Sequence, residues 1–303
     1  MRDVSAKVST LRTATAQATL YAAAETIRLV REGGVPKGDP IPVSRVAAIQ
    51  AAKNTPLLIP YCHPVPLDFV KVDFEVLDDR IVVTVFTKAI YKTGVEMEAL
   101  AGASAAVLNL YDMLKMLDDE MHIGKIELLE KTGGKSNFAL KTEGQFRAAV
   151  LVCSDRVSQG QAEDRSGLLL KQLLIEQGGD VVSYAAVADE VDEIQGSVKR
   201  GCDEMHVDLL FLTGGTGVGP RDMTPEAVRP LLSADLGGIE AFLHRYSQER
   251  LPYAMLSRLC VGRRGQTFVF CLPGSPGAVQ DAFDALFPYV LHALAIRDGA
   301  NHG

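Results

Sequence analysis

Residues 210–217, Leu-Phe-Leu-Thr-Gly-Gly-Thr-Gly, constrain the fold of this chain more than any other stretch. An apolar strand empties into a glycine loop, and a helix begins a few residues later. Thr224 can cap that helix and Pro225 fits its first position. Backbone N–H groups freed in such a loop, backed by the positive end of a helix, suit an anion such as phosphate. Around this unit, apolar strands are expected at 147–153, 180–187, 207–213 and 267–272. Helices near 163–178, 190–202, 224–232, 237–250 and 276–296 alternate with them. That alternation predicts a three-layer α/β domain with a mostly parallel sheet, whose ligands sit beyond the carboxyl ends of the strands. Three loops take that position: 154–156, 214–217 and 273–277.

The upstream pattern is different. A polar segment at the start runs into an alanine-rich stretch, and helices are expected at 22–30 and 44–53. Residues 69–76 alternate and 81–87 are β-branched, with Asp78-Asp79-Arg80 between them, so they form a hairpin. A long helix over 96–118, rich in small residues, and a strand over 123–130 complete this half. Strands pairing locally, with helices to one side, predict an α+β domain with an antiparallel, ferredoxin-like sheet. The polar connection at 141–146 separates the halves, which places the domains at 1–144 and 145–303. At 303 residues the chain is long enough for two cores.

The net charge is −7 and neither half carries a positive excess, which argues against nucleic acid as a partner. The five cysteines are odd in number and scattered, as expected in a reducing compartment without disulfides or structural zinc. No signal peptide and no bilayer-length apolar run are present, so the expected location is the cytoplasm, with no membrane partner.

Individual residues admit two readings each. Asp222 is either a buried cap or a carboxylate holding a divalent metal against phosphates, and Asp189 is a metal carboxylate or a helix cap. Asp112 and Lys115 share one helix face, the ordinary reading being a surface ion pair. Two prolines bracket His63 and hold its backbone extended. Glu96 and Glu98 stand where a helix dipole favours carboxylates. Lys37, Lys131 and Lys135 read first as solvated loop lysines.

Taken together, the motifs resemble two known families. The second half carries Thr-Gly-Gly-Thr-Gly at 213–217, Arg-Asp at 221–222, Thr-Pro-Glu-Ala at 224–227, residues 252–258 and Leu-Pro-Gly-Ser-Pro-Gly-Ala at 272–278. This set is similar to molybdopterin adenylyltransferases over 147–300. The resemblance implies transfer of adenylate from Mg²⁺-ATP to the phosphate of molybdopterin. It makes Asp189 and Asp222 the catalytic, metal-holding carboxylates, and Gly214, Gly215, Thr216, Gly217 and Ser275 the ligand-loop positions. Gly237 stands where that family commonly has proline.

Residues 3–14, Lys-Gly-Asp at 37–39, Ala-Ala-Lys at 51–53, Cys-His-Pro at 62–64, the run 92–100, Tyr-Asp-Met at 111–113 and Gly-Gly-Lys-Ser at 133–136 resemble cyclic pyranopterin monophosphate synthase. That resemblance implies conversion of 3′,8-cyclo-7,8-dihydroguanosine triphosphate into the cyclic pterin with loss of pyrophosphate, and no cofactor. Asp112 becomes the catalytic acid/base, assisted by Lys37 and Lys115. Tyr61, Cys62, His63, Met97 and Glu98 fall on substrate-binding segments, Lys53 and Lys131 on the triphosphate side. Crowded lysines are expected to lower one lysine's pKa toward the proton-transfer range.

The expected protein is therefore a fusion of two molybdenum cofactor biosynthesis enzymes acting on small molecules, assembled as a homo-oligomer, a trimer or hexamer. Two competing readings make the second half a pterin-binding scaffold without the transfer step, or a nucleotide pyrophosphatase.

Overall fold

A computed structural model describes residues 1–134, 137 and 146–297. The 144/145 boundary and most of the expected 141–146 connection lie outside the described residues. The backbone groups into two units, Met1–Phe138 and Ala139–Gly303.

The first unit runs β1 (Thr10–Tyr21), α1 (Ala24–Glu32), α2 (Pro40–Lys53), the single turn α3 (Thr55–Leu58), β2 (Phe69–Val76), β3 (Arg80–Tyr91), α4 (Glu96–Leu114) and β4 (His122–Thr132). The sheet order is β2-β3-β1-β4, every pairing antiparallel. This βαββαβ arrangement is the ferredoxin-like one. The hairpin closes where Leu77 N–H donates to the Arg80 carbonyl at 2.9 Å.

The stretch before residue 22, for which no strand is expected from sequence, is a central strand. Ala14, Ala16, Ala18 and Leu20 alternate along β1 and are all buried. Alanine favours helices, so its presence conceals the two-residue period that marks a sheet face. The payoff of so small a face is close packing: Ala99, Ala103 and Ala106 of α4 are likewise fully buried. Gly102 lets α2 approach, since a Cβ there would stand 3.1 Å from the Ala48 carbonyl oxygen and 3.2 Å from Val85 Cγ1. Further along, Asn109 Nδ2 donates to Ser44 Oγ at 3.0 Å, so α2 and α4 run antiparallel. Helix α2 begins at Pro40 rather than Ser44 because Asp39 caps it, accepting from Ile41 N–H at 3.0 Å.

The second unit contains β5 (Arg147–Cys153), α5 (Asp155–Ser158), α6 (Ser166–Glu176), β6 (Asp180–Val187), α7 (Val191–Lys199), β7 (Leu209–Thr213), α8 (Thr224–Val228), β8 (Ala234–Asp235), α9 (Gly237–Gln248), β9 (Cys260–Arg264), β10 (Thr267–Leu272), α10 (Pro276–Leu286) and α11 (Val290–Arg297). The order is β6-β5-β7-β10-β9-β8. The first four strands are parallel, and β9 and β8 add an antiparallel edge that the apolar-run pattern does not reveal. Ile194, Val198, Ala227 and Val228 cover one face. The other carries stacked rings, Phe211 on Phe270 and Phe283 on Phe287. The expected helix 276–296 is two helices, because Pro288 holds Phe287 extended and ends the first.

Replacing Gly102 with leucine is expected to overpack the α2–α4 contact and cost about 1–3 kcal/mol. Urea unfolding should show a lower midpoint with an unchanged slope; an unchanged midpoint would mean the two helices are not held at this distance.

Candidate active sites

The long helix α4 carries a cluster at each end. At its C-terminal end Lys115 lies one turn after Asp112, and its Nζ stands 2.7 Å from Asp112 Oδ1. Lys37, presented by the turn at Gly38 (φ +90°), places its Nζ 3.1 Å from Asp112 Oδ2 and donates to the Asp112 carbonyl at 2.7 Å. Hydrogen bonds from Lys115 and then Lys37 hold the Asp112 carboxyl below its usual range. The same carboxylate raises the Lys115 ammonium, the opposite of the lowering expected from crowded lysines. The acid sits between the bases, so attraction outweighs repulsion.

At the N-terminal end the chain assembles a different chemistry. Lys131 of β4 pairs with Glu96 at 3.2 Å. His63 Nε2 lies 2.8 Å from the Arg2 carbonyl. Arg2, Lys7, Arg12, Glu96 and Lys131 line a pocket of about 420 Å³. Glu98 is buried, and burial first, with Glu96 adding to it, pushes its carboxyl up to about 7 against its own backbone hydrogen bond. Burial, Glu98 and Glu96 raise the Cys62 thiol. Met97 is half-buried on the first turn of α4, Tyr61 is exposed beside Cys62, and Lys53 closes α2 at this same end. Lys135 lies outside the described residues. Glu96 and Asp112 are 16 residues apart on one helix, about 24 Å at about 1.5 Å per residue. The structure thus gathers Asp112, Lys37 and Lys115 in one place and the residues expected from the resemblance to bind substrate in another.

In the second unit the expected loops do converge. Gly214 (φ +104°) and Gly215 (φ +61°) leave β7 in a conformation that only glycine adopts cheaply. Gly274, after β10, packs so closely that a Cβ on it would stand 3.1 Å from Gly214 Cα. Thr224 does not cap α8: its hydroxyl donates to the Gly214 carbonyl at 2.9 Å and its N–H to Gly215, tying the glycine loop down. The helix behind the loop is also one short turn, so its dipole contributes little.

Asp189, after β6, exchanges backbone bonds with Asp155: Asp155 N–H donates to Asp189 Oδ2 at 3.1 Å, and Asp189 N–H to Asp155 Oδ1 at 3.0 Å. Arg221 clamps Asp155 at 2.9 Å and Glu190 at 2.8 Å. Asp189 Oδ1 is buried without a hydrogen-bond partner. Burial raises this carboxyl, and Asp155 and Asp222 raise it further. Asp222 Oδ2 accepts from Gly219 N–H at 2.7 Å, which folds the loop around it. Asp189, Asp222, Gly214, Gly215 and Gly274 line a cavity of about 390 Å³. Thr216 is buried beneath the loop, 3.2 Å from Ser257 Oγ, and a Cβ on Gly217 would press on Asp222. Ser275 caps α10 and lines a neighbouring cavity instead.

Comparison with known proteins now bears on both halves. A protein of Chlorobaculum tepidum named "Molybdenum cofactor biosynthesis bifunctional protein" is 42% identical over 304 residues, covering 100% of this chain and 96% of that one. The chain belongs to this family. Its residues 1–134 match the model of the MoaC family, and 149–292 match the "Probable molybdopterin binding domain". The cyclic pyranopterin monophosphate synthase of Clostridium perfringens is 50% identical over 138 residues, 45% of this chain and 87% of that protein. The crystal structure of the molybdopterin biosynthesis enzyme MoaB from Thermus thermophilus covers 52% of this chain and 98% of its own, at 34% identity and a TM-score of 0.49. The chain is thus a bifunctional molybdenum cofactor biosynthesis protein, a MoaC unit followed by a unit of the molybdopterin-binding-domain family.

Several polar groups at these sites escape assignment from sequence. Arg2 and Lys7 line the basic pocket, and Arg12 does so from β1 while donating to the carbonyls of Tyr91 and Lys92. In the second unit Arg258 laces the glycine loop, donating to Gly217 and Asp222 carbonyls and pairing with Glu226. Arg12 and Arg258 lie inside the stretches 3–14 and 252–258 that carry the family resemblances, the signal that marks them. The unpartnered Asp189 oxygen beside Asp222 fits a hard divalent cation such as Mg²⁺, which takes oxygen donors.

The Glu98 carboxyl titrates near 7 in the fold against an ordinary 4.5. Folding therefore favours its protonated form, and that contribution is present below about 4.5 and lost as pH rises through about 7. Glu98→Gln, neutral at every pH, should gain on the order of 2–3 kcal/mol relative to the parent between pH 4.5 and pH 8. Urea unfolding at the two pH values checks this; a difference independent of pH would contradict it.

Proposed function

We propose that the first unit is a cyclic pyranopterin monophosphate synthase and the second a molybdopterin adenylyltransferase, working in the cytoplasm. The observation that carries the first assignment is the Lys37–Asp112–Lys115 triplet on the helix whose other end borders a basic pocket. Asp112, flanked by two ammonium groups, is in the ionised form that a proton acceptor needs, and Lys37 and Lys115 are positioned beside it as the proton donors. Arg2, Lys7, Arg12 and Lys131 supply the charge that a triphosphate needs. His63, Cys62, Met97 and Glu98 shape the part that faces the ring system. Because about 24 Å of helix separates the two clusters within one chain, the reading requires a homo-oligomer. In it, the Asp112 end of one α4 meets the Glu96–Lys131 end of another, as trimeric or hexameric symmetry allows.

In the second unit the Gly214–Gly215 and Gly274 backbones leave room for phosphate oxygens. Asp189 and Asp222 would hold Mg²⁺, which when bound supplies neutralising charge for nucleotidyl transfer. Among the described residues no three His, Cys, Asp or Glu side chains form a cage, so ligands beyond Asp189 and Asp222 would have to come from the nucleotide or water. The Asp155–Arg221 clamp keeps Asp189 oriented, and Thr224 and Arg258 keep the loop rigid.

Asp112→Asn should abolish formation of the cyclic pterin with an unchanged circular dichroism spectrum. Mixing that variant with Lys131→Ala, itself inactive, should restore roughly a quarter of parental turnover by random pairing of subunits. No restoration would mean that the two clusters do not share one site between chains. For the second unit, the full chain with molybdopterin, ATP and Mg²⁺ should form adenylylated pterin, and Asp189→Asn should slow this by about 100-fold or more. Failure of the parent chain to form that product would leave a pterin-binding module only.

A further inference from the structure

Cys260 and Cys271 face each other across β9 and β10, directly opposite in the antiparallel register. Both are fully buried, on the sheet face that also holds Cys153. Buried cysteine ordinarily serves as a small apolar filler. Cys153 and Cys202 fit that role, since burial pushes their thiols up to about 12 and about 11. The Cys260–Cys271 pair departs from it. The two thiols are hydrogen-bonded, and that bond, helped by the Arg229 guanidinium, holds Cys260 below the ordinary thiol range against burial, Glu240 and Asp235. Burial and the neighbouring Cys260 hold Cys271 well above it. One sulfur is thus biased toward thiolate and the other toward thiol, the division of roles that thiol oxidation uses.

Backbone pairing sets the geometry. The turn at Gly265 and Gln266 has two residues, so Arg264 and Thr267 form a hydrogen-bonded pair, and pairs alternate from there along the ladder. By that alternation Cys260 and Cys271 are again a hydrogen-bonded pair. Val261 agrees, because it faces the other way: its N–H donates to Glu240 Oε1 at 2.8 Å and its carbonyl accepts from Leu236 N–H at 2.9 Å. Residues of such a pair stand about 5.5 Å apart at Cα, inside the span of a disulfide. Their Cβ atoms, about 5 Å apart, must close to about 3.8 Å before the sulfurs join. A bridge here needs no refolding, yet it draws β9 against β10 and is correspondingly easy to reduce.

We propose that Cys260 and Cys271 are a reversible oxidation site, closing into a cross-strand disulfide that distorts the nucleotide cavity. A hydroperoxide is the oxidant. With hydrogen peroxide, the Cys260 sulfur attacks the O–O bond, giving a sulfenic acid and one water. The Cys271 sulfur then displaces the sulfenic oxygen, which leaves as a second water with the Cys271 proton. Two thiols and one peroxide become one disulfide and two waters, and a dithiol reverses the change by exchange. The oxidant reaches the pair by local opening at the β8 edge, which is only two residues long and exposed.

The strain has a short path to the cavity. Gly274 follows Cys271 by three positions and packs against Gly214 with no room for a side chain, while the Leu272 carbonyl accepts from Gly214 N–H at 3.1 Å. Arg258 precedes Cys260 by two positions and holds the Gly217 and Asp222 carbonyls. Closing the bridge displaces both supports of the glycine loop. That the cavity takes nucleotide rests on the adenylyltransferase reading; the disulfide does not.

The test uses the full chain, treated with hydrogen peroxide, blocked at its free thiols and digested with trypsin. Cleavage after arginine places Cys260 in 259–263, Cys271 in 265–297 and Cys153 in 148–156, so each pairing has its own mass. The expected product is 259–263 joined to 265–297, lighter by two hydrogens than the separate peptides and parted by dithiothreitol. Oxidation should slow adenylylation of molybdopterin by about 10-fold or more and weaken Mg²⁺-ATP binding, measured by calorimetry, with recovery in dithiothreitol. Cys260→Ala and Cys271→Ala should each keep the parental rate and lose the sensitivity to peroxide; the parent's peptide map stands if either variant misfolds. Thiols that stay reduced until the chain unfolds, a link between 148–156 and 265–297 instead, or a closed Cys260–Cys271 bridge with unchanged nucleotide affinity overturns the proposal. A parent chain that forms no adenylylated product defeats the adenylyltransferase reading alone, since the peptide link and the affinity are read without turnover.

Discussion

Gly214 and Gly274 meet backbone to backbone at the ends of two adjacent parallel strands, and a methyl group on Gly214 would fall 2.2 Å from the Cys153 carbonyl oxygen. Three strand ends, β5, β7 and β10, converge only because no side chain intervenes. Asp189 then arrives from β6 on the same edge, and the cavity is complete. The first unit relies on the same economy of atoms. Gly102 and the alanines of β1 and α4 bring helix to sheet and helix to helix, which seats α4 firmly. In both units the reactive groups are supported by parts that contribute no functional atoms of their own.

The charged groups divide into two kinds. Asp112 is exposed and flanked by two ammonium groups, so it stays ionised and solvated. Glu98 and one oxygen of Asp189 are buried beside other carboxylates, and their ionised forms are disfavoured until a cation or donor arrives. The first arrangement suits handling protons on a substrate. The second suits binding, because a ligand that relieves the unsatisfied carboxylate gains affinity from it.

The sequence was most legible where residue type and period agreed. The apolar runs at 147–153 and 267–272 became strands at those positions, and the hairpin around Asp79 formed as expected. Legibility failed where one residue type serves two structures. The alanines of β1 look helical one by one, and only the sheet partners Ile81, Val83 and Val85 expose their alternation. Strand β9 was hidden because Gly262 and Arg263 break its apolar run, although Gly262 is needed where Leu232 and the Ala234 carbonyl press in. At the sites, residues quoted in motifs were found together when they lay on one loop, as with Gly214 and Gly215. Sequence order alone does not say that Asp112 and Lys131 stand at opposite ends of a helix, since that depends on helix length and on the strand that follows. Thr224 fits a helix cap by sequence yet bonds Gly214 in the structure, because both roles call for the same hydroxyl.

The length of α4 has a kinetic consequence. With the Lys37–Asp112–Lys115 triplet at one end and the basic pocket at the other, an isolated chain of the first unit would, on the proposed reading, hold two half-sites. Under the subunit-sharing reading, catalysis then obeys mass action between chains. Below the dissociation constant of the assembly the rate would climb more steeply than chain concentration, and above it in simple proportion. A rigid rod too long for its own substrate would thereby convert protein abundance into a threshold for pterin synthesis.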